Sequence, residues 1–231
     1  MDQSPTLPYL TVPIETAWRP YWVVKRVMDV TLALLAVIAL APVMLLVAML
    51  IKLDSRGPVL FKQTRIGRGG QPFTFYKFRS MVHNADPEIH RQYVQSLIRN
   101  GAASETEAAG CSPARFKLTR DPRITRVGAL LRRTSLDELP QFFNVLKGDM
   151  SLVGPRPPIP YEVTEYTEWQ CGRLAVTPGI TGVWQVMGRS RVPFDQMVQT
   201  DLDYIAQQSF WLDCRILWQT IPAVLSGSGA K

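Results

Sequence analysis

Residues 30–51 read VTLALLAVIALAPVMLLVAMLI, a run of 22 residues in which Thr31 has the one polar side chain. A helix of that length is about 33 Å long at ~1.5 Å per residue, which is enough to cross a hydrocarbon core of ~30 Å. The run starts late and leads into Lys52 without a small-residue cleavage site, which argues against a signal peptide. A core helix of a soluble protein is the alternative, although such helices are usually shorter. The stretch therefore predicts a protein held at a membrane.

Pro42 lies near the middle of this run and predicts a bend, because proline removes a backbone donor and clashes with the preceding turn. Basic residues flank the run on both sides, with Lys25 and Arg26 before it and Lys52 and Arg56 after it. A spanning helix carries positive charge mainly on one side, whereas a helix that enters, turns and returns keeps both flanks at the anionic cytoplasmic face. We therefore favour a re-entrant helix that bends at Pro42, and a spanning helix stays open.

The composition excludes several classes of protein. The chain has 231 residues, of which 46% are hydrophobic and 19% charged, so it can bury a core and is too apolar to be disordered. Three widely spaced cysteines without a CxxC pair argue against a disulfide framework or a thiolate zinc site, and favour a reducing compartment. The chain has only two histidines, which argues against chemistry that needs a histidine base or several histidine ligands.

The net charge of +7 is concentrated in two segments, residues 52–79 and 115–133, each with seven basic residues and one acid. Such concentration favours a specific anionic partner over a uniformly basic surface. Phospholipid head groups, a phosphorylated ligand and nucleic acid all fit, and solvated charged faces without a ligand remain the plainer interpretation.

The order of turn and helix signals predicts several elements after the apolar run. Residues 58–78 read as strand, turn and strand. The segment 101–113 reads as a loop, and the four prolines within 155–160 exclude a helix there. Helices are predicted over residues 86–99, 135–146, 199–206 and 211–225, the second with Ser135 as N-cap and Glu138 completing a capping box.

Asp137 and Glu138 begin the predicted helix directly after the second basic segment, with Arg132 one turn before them and Arg156 in the rigid sequence Pro155-Arg156-Pro157 beyond. A helix start offers unpaired N–H groups and a positive dipole end to phosphate. Carboxylates there can bind Mg²⁺ or attack phosphorus, while arginines offset the charge. The pattern alone is a weak signal, because the capping box already gives Glu138 a structural role.

Longer strings from the same region are more specific. The segments SLDELPQ (135–141) and NVLKGDMSLVGPRP (144–157) resemble the signature of the bacterial sugar transferase family, the monotopic phosphoglycosyl transferases. The likeness extends to KRVMD (25–29), YKFRSM (76–81), PGITGVWQV (178–186) and GR (188–189), and so covers roughly residues 25–225.

The resemblance implies an α+β fold in a monotopic membrane protein. It would combine a re-entrant helix–break–helix hairpin, interfacial amphipathic helices and a small β-hairpin. The implied divisions are an N-terminal tail over 1–24, the re-entrant helix over 25–52, and a membrane-associated catalytic domain over 53–231. The implied location is the bacterial inner membrane, with the catalytic domain facing the cytosol. The chain looks like a minimal catalytic unit of such enzymes.

The resemblance also assigns roles to individual positions. Asp137 matches the nucleophile and Glu138 its partner, and the two carboxylates would hold Mg²⁺. Cationic residues would bind the phosphates of the substrate; these are Arg132, Arg156 and Lys77 by match to the family, and Arg189 as a substitute for a basic residue that many relatives carry where Thr177 stands.

The implied reaction moves a sugar 1-phosphate from a UDP-sugar to undecaprenyl phosphate in the phospholipid bilayer, releasing UMP. An aspartate with a reference pKa of ~3.9 is already ionised at neutral pH, so an aspartyl-phosphosugar intermediate needs no histidine base. Direct single-step transfer is a rival mechanism, and a membrane-anchored scaffold that binds phosphate or nucleic acid is a rival function. We find no recognisable nucleic-acid-binding module in the sequence. The sugar, the glycoconjugate pathway and the formation of a homo-oligomer stay open.

Overall fold

The computed structural model of the protein describes residues 20–84, 123–187 and 193–225. The predicted helix over 86–99, the loop around Cys111 and the candidate residue Arg189 lie outside these ranges. Within them, helices surround two separate two-stranded sheets, which agrees with the predicted α+β class.

The apolar run forms the middle of helix α1, Pro20–Asp54, which has 35 residues. It is the one helix in the described ranges that is long and apolar enough to cross a membrane. Most of its large side chains face outward, as Leu35 (58% exposed) and Leu45 (73% exposed) illustrate, so it is not the core helix of a soluble protein. The helix continues through Pro42 instead of breaking into two, because leucine, valine and alanine on both sides sustain it across one missing hydrogen bond.

The predicted strand–turn–strand segment is confirmed. Strands β1 (Leu60–Ile66) and β2 (Pro72–Phe78) pair antiparallel, with Leu60 opposite Phe78 and Ile66 opposite Pro72. The turn between them contains a 3₁₀ turn, Arg68–Gly70, in which Gly69 has a φ of 64°, a conformation that glycine adopts without strain.

The predicted helix over 135–146 is wrong as a single element. Helix α2, Arg126–Thr134, ends at Ser135, whose left-handed φ of 58° differs from the extended backbone of an ordinary N-cap. A 3₁₀ turn, Leu136–Glu138, follows, and helix α3, Gln141–Lys147, begins after Pro140. The Ser135 side chain caps neither segment, so the predicted capping box does not form. A turn replaces the helix because the backbone reverses at Ser135.

The remaining elements close the fold around residues 150–225. Strands β3 (Ser151–Val153) and β4 (Gly179–Thr181) form a parallel pair that the sequence analysis did not predict. The predicted non-helical segment 155–160 is confirmed for 155–159, whereas Pro160 begins a short helix, because proline is tolerated in the first turn. The helices predicted over 199–206 and 211–225 are confirmed, although the first of them begins five residues earlier, at Phe194. The helices of this part are α4 (Pro160–Val163), α5 (Glu168–Cys171), α6 (Val183–Met187), α7 (Phe194–Gln207) and α8 (Phe210–Leu225).

Both ends of α1 pack against the rest of the fold. Near its start, Arg26 donates to the carbonyls of Val145 (2.7 Å) and Leu146 (3.0 Å) at the end of α3. Near its end, Val47 and Ile51 lie in an apolar cluster with Phe78 of β2 and Leu131 of α2. The two ends of a 35-residue helix thus contact one connected set of elements.

A buried ion pair holds the first turns of α1 against α8. The Nζ of Lys25 lies 2.7 Å from the Oδ2 of Asp213, and the two side chains are 5% and 0% exposed. Tyr21 and Tyr204 donate hydrogen bonds to the same carboxylate at 2.9 and 2.7 Å, and Lys25 also donates to the carbonyl of Val153 at 3.0 Å. Every oxygen of this buried carboxylate is therefore satisfied, as burial of a charge requires.

Asp201 forms a second buried ion pair, with Arg173. It lies in the interior of α7, 1% exposed, and accepts from Arg173 at 2.8 Å. The Arg173 Nη1 also donates to the hydroxyl of Tyr166 at 3.1 Å. The sequence could not indicate this pair, because its members are 28 positions apart.

We expect Asp213→Asn to lower the free energy of unfolding by about 3–5 kcal/mol, because it leaves the buried Lys25 ammonium without its counter-charge. Chemical unfolding of the detergent-solubilised protein, followed by tryptophan fluorescence, measures the change. Asp203→Asn on the exposed face of α7 is the matched control and should stay within about 0.5 kcal/mol of the parent. Equal stability of the two variants would contradict the role assigned to the ion pair.

Candidate active site

The carboxylates predicted for catalysis lie in the 3₁₀ turn between α2 and α3. Asp137 is buried, with 7% of its surface exposed, and Glu138 is half-buried beside it. The Glu138 Oε1 lies 2.9 Å from the Nζ of Lys77 on β2, so the structure joins two candidate residues that are 61 positions apart. Ser135, with its left-handed φ of 58°, is the one residue between α2 and this turn.

Glu138 and Lys77 line a small, open cavity between the β-hairpin, the start of α3, the segment after β3, and β4. Two arginines, Arg65 of β1 and Arg156, also line this cavity, which we call the cationic cavity. The other lining residues are Phe75, Gln141, Pro157, Gly179, Ile180 and Gln185. Three cations around one carboxylate suit a ligand with more than one negative charge, such as a diphosphate.

Arg65 is a member of this cavity that the sequence analysis counted only as part of a basic segment. Its side chain is 5% exposed, and its Nη1 donates to the carbonyl of Pro157 at 2.8 Å. Burial, and then the nearby charge of Arg156, lower the pKa of the Arg65 guanidinium to about 10. The group therefore remains protonated at neutral pH. The alternation of β1 could have indicated which face Arg65 occupies, but only the packed fold shows that this face is buried.

Arg156 is positioned by backbone hydrogen bonds of the rigid segment around it. Gly179 N–H donates to the carbonyl of Pro155 at 2.8 Å, and Gly154 N–H donates to the carbonyl of Thr181 at 2.9 Å. A Cβ on Gly179 would touch the backbone nitrogen of Gly154 and lie 2.6 Å from the Thr181 carbonyl oxygen. The two strands can therefore approach this closely only because glycine occupies position 179.

The other predicted phosphate-binding arginine with a described position is Arg132, which lies half-buried in the last turn of α2. Its carbonyl accepts from the N–H of Ser135 at 3.4 Å, but the described lining of the cationic cavity does not include its side chain. Of the predicted cations, the structure therefore brings Lys77 and Arg156 to the cavity together with Glu138.

The predicted magnesium ligands offer oxygen donors. Among the described residues, no group of three or more histidine, cysteine, aspartate or glutamate side chains could hold a metal ion. The adjacent carboxylates of Asp137 and Glu138 remain the candidates, and both are hard oxygen donors. Mg²⁺ commonly binds through one or two carboxylates plus substrate phosphates, so this donor set fits magnesium if the ligand supplies the other oxygens.

The comparison with known proteins identifies the family. A family profile described as bacterial sugar transferase matches residues 20–227, nearly the whole chain. The chain therefore belongs to the bacterial sugar transferase family, as the motifs predicted.

Individual relatives cover the chain to a similar extent. The galactosyl transferase CpsE of Streptococcus agalactiae serotype III (strain NEM316) is 43% identical over 210 residues, which are 90% of this chain and 44% of that protein. The undecaprenyl-phosphate galactose phosphotransferase of Salmonella typhimurium (strain LT2) is 41% identical over 206 residues, 89% of this chain and 41% of that protein. The exopolysaccharide production protein ExoY of Sinorhizobium fredii is 40% identical over 221 residues, which are 95% of this chain and 94% of that protein. The chain thus spans less than half of the first two relatives and nearly all of the third.

We expect Gly179→Ala to destabilise the fold by about 1–3 kcal/mol or more, since the added methyl group forces β3 and β4 apart. Gly172→Ala is the matched control, because its Cβ would meet only the end of the flexible Leu202 side chain, at 2.9 Å. The thermal midpoint of each variant in detergent measures the difference. A Gly179→Ala protein as stable as the Gly172→Ala protein would show that the close approach is not required.

Proposed function

We propose that this protein transfers a sugar 1-phosphate from a UDP-sugar to undecaprenyl phosphate, releasing UMP and forming undecaprenyl-diphospho-sugar. This reaction would start the synthesis of a polysaccharide or glycoconjugate. The observation that carries the proposal is the adjacent carboxylate pair Asp137 and Glu138 beside a cavity lined by Lys77, Arg65 and Arg156. Family membership and the names of relatives, one of them an undecaprenyl-phosphate galactose phosphotransferase, support it.

Asp137 is the proposed nucleophile. One of its carboxylate oxygens attacks the sugar-bearing phosphorus of the donor, the bond from that phosphorus to the bridging oxygen breaks, and UMP leaves with the electron pair. The product is an aspartyl-phosphosugar. A phosphate oxygen of undecaprenyl phosphate then attacks the same phosphorus, which forms the diphosphate and returns the Asp137 carboxylate. No proton transfer to or from the nucleophile is needed, because the carboxylate is the reactive form.

The main electrostatic obstacle to this reaction is repulsion between a carboxylate and an anionic diphosphate. The cations of the cavity would reduce this repulsion. Arg65 is held by the Pro157 carbonyl and stays charged at neutral pH, so it offers a fixed positive charge. Arg156 follows two residues that are hydrogen-bonded to β4, since the Pro155 carbonyl accepts from Gly179 N–H and Gly154 N–H donates to the Thr181 carbonyl. Charges held in place before the substrate arrives stabilise the transition state without reorganisation, which is the most effective form of electrostatic catalysis.

Mg²⁺ is the proposed cofactor, with Glu138 and Asp137 as the residues that would hold it. Bound there, the ion would neutralise phosphate charge close to the reacting phosphorus. The Nζ of Lys77 lies 2.9 Å from the Glu138 carboxylate and offsets part of its charge. The protein's own contribution is to keep Glu138 and the three cations at one cavity, with the buried Asp137 adjacent to Glu138 in the chain.

We infer that α1 re-enters the membrane and does not span it. A straight helix of 35 residues would be about 52 Å long at ~1.5 Å per residue, and a spanning helix would leave one end beyond the bilayer. Here Lys25, near one end, contacts α8, while Ile51, near the other, contacts the hairpin and α2. Both ends on one side, with a bend near Pro42, account for these contacts. The exposed Trp218 of α8 (74% exposed) suits the membrane interface on that side.

We expect Asp137→Asn to reduce UMP release by at least about a thousandfold, because an amide cannot replace the attacking carboxylate. The assay uses a panel of UDP-sugars with undecaprenyl phosphate and Mg²⁺. Incubation with the donor alone, followed by peptide mass mapping, should find a sugar-phosphate adduct on Asp137 in the parent and none in the variant. Asp203→Asn is the control and should retain activity, and all three proteins should remain in the membrane fraction.

The same assay separates the rival interpretations. Radiolabelled UMP should exchange into the UDP-sugar without acceptor lipid, because only a covalent intermediate allows the first step to reverse alone. Turnover without exchange or adduct would favour direct transfer. If the protein binds phosphorylated ligands but releases UMP from none of the donors, the result would favour a scaffold and overturn the proposal.

We expect cysteines introduced at Pro20 and Lys52, both exposed near the ends of α1, to react from the same side of the membrane. The native cysteines are first replaced by serine. A membrane-impermeant maleimide should label both positions in inverted vesicles and neither in intact spheroplasts. A cysteine at Ile38, within the apolar run, is the control and should react in neither preparation. Labelling of one end in spheroplasts would establish a spanning helix instead.

A further inference from the structure

One side chain of α3 takes the place of a neighbouring strand along β2. Within the described ranges, β2 pairs with β1 alone. Asn144 accepts from the backbone N–H of Tyr76 at 3.1 Å and donates to the backbone carbonyl of Thr74 at 2.6 Å. An edge strand leaves such N–H and carbonyl groups unpaired, and a single amide here satisfies two of them.

The surroundings of Asn144 fix the orientation of its amide. The residue is fully buried, with 0% of its surface exposed, and its Nδ2 also donates to the Oδ2 of Asp149 at 3.2 Å. Because the Tyr76 N–H can only donate and the Thr74 carbonyl can only accept, the amide oxygen must face the first and the nitrogen the second. A carboxylate of the same shape would lose both donated bonds and would repel Asp149.

The two elements that Asn144 joins are those that carry Lys77 and Glu138. Glu138 ends the 3₁₀ turn, and α3 begins three residues later, after the rigid ring of Pro140. Lys77 is the strand residue directly after the N–H that Asn144 accepts, and its Nζ lies 2.9 Å from Glu138. The position of β2 against α3 therefore decides where the lysine meets the carboxylate.

The contact between Lys77 and Glu138 is too exposed to hold this arrangement by itself. The two side chains are 24% and 38% exposed, and an ion pair that water reaches contributes little to stability. The bonds of Asn144 are shielded from water, and hydrogen bonds in such surroundings are stronger and more rigid. The amide, and not the ion pair, is thus the firmer connection between β2 and α3.

We propose that Asn144 is a positioning residue for the transfer reaction: its amide fixes the backbone of β2 against α3 and so sets Lys77 opposite Glu138 before the donor binds. This inference rests on the proposed function, since it takes Lys77 and Glu138 to act on a donor diphosphate. Asn144 is fully buried and does not line the cationic cavity, so its effect passes through the elements that it joins.

Substitution of Asn144 by aspartate tests the proposal, because the two side chains have nearly the same shape. Asn144→Asp keeps an acceptor for the Tyr76 N–H, but it loses both donors and sets a negative charge beside the Asp149 carboxylate. We expect kcat/KM for UMP release from a UDP-sugar to fall about tenfold or more, as expected when a buried group loses its partner. The assay uses the full chain in lipid nanodiscs with undecaprenyl phosphate and Mg²⁺.

Gln170→Glu is the matched control, because it makes the same change of amide to carboxylate at another buried site. Gln170 is 6% exposed, accepts from the Thr167 N–H at 2.9 Å and donates to the Asp195 carboxylate at 3.2 Å. It does not line the cationic cavity, so kcat/KM should stay within about twofold of the parent. A loss as large as that in Asn144→Asp would mean that destabilisation alone explains the effect, and would overturn the proposal.

A double-mutant cycle with Lys77 separates positioning from a purely structural role. Lys77→Met removes the charge and keeps most of the side chain, and two other cations of the cavity remain. In that background Asn144→Asp should lower kcat/KM by less than about threefold, because the charge that it misplaces is already gone. An equal loss in both backgrounds would show that Asn144 does not act through Lys77, and would overturn the proposal.

Hydrogen exchange of the unmodified protein covers the case in which Asn144→Asp does not fold. The Tyr76 amide should exchange with solvent at least about a hundredfold more slowly than in an unstructured peptide, because its buried bond to Asn144 must open first. Rapid exchange at Tyr76 would overturn the proposal. The proposed function fails separately, if the parent releases UMP from no UDP-sugar while the Tyr76 amide remains protected.

Discussion

The buried ion pair between Lys25 and Asp213 joins two parts of the molecule that prefer different solvents. Helix α1 exposes leucine and isoleucine along most of its length, whereas the elements after it carry the charged cavity. Replacing a buried ion pair by apolar residues often costs little stability. We therefore infer that this pair mainly specifies how α1 is positioned against α8. A shifted or rotated α1 would leave both charges buried and unpaired. The pair therefore fixes the height of the cavity relative to the apolar helix, which matters if the acceptor phosphate lies at the membrane surface.

The cationic cavity is a second place where electrostatics constrain the fold. Arg65 and Arg156 repel each other, and this repulsion adds to burial in lowering the Arg65 pKa. The protein holds the two guanidinium groups together through the Pro157 carbonyl and through the glycine contact between β3 and β4. A bound diphosphate would relieve the repulsion, since its oxygens carry the missing negative charge. In the proposed reaction, part of the binding free energy of the donor comes from this relief.

The sequence by itself determined the apolar helix, the hairpin, the last two helices and the carboxylate pair, because each depends on local pattern: hydrophobic runs, turn glycines and short motifs. It misjudged residues 135–146, where a left-handed Ser135 overrides helix propensity, and it could not find the parallel pairing of β3 with β4. Only the tertiary structure decided that Arg65 joins Lys77, Glu138 and Arg156 at one cavity, and that Arg173 pairs with Asp201. These features arise from contacts between residues far apart in the chain, and such contacts depend on packing, which no local pattern encodes.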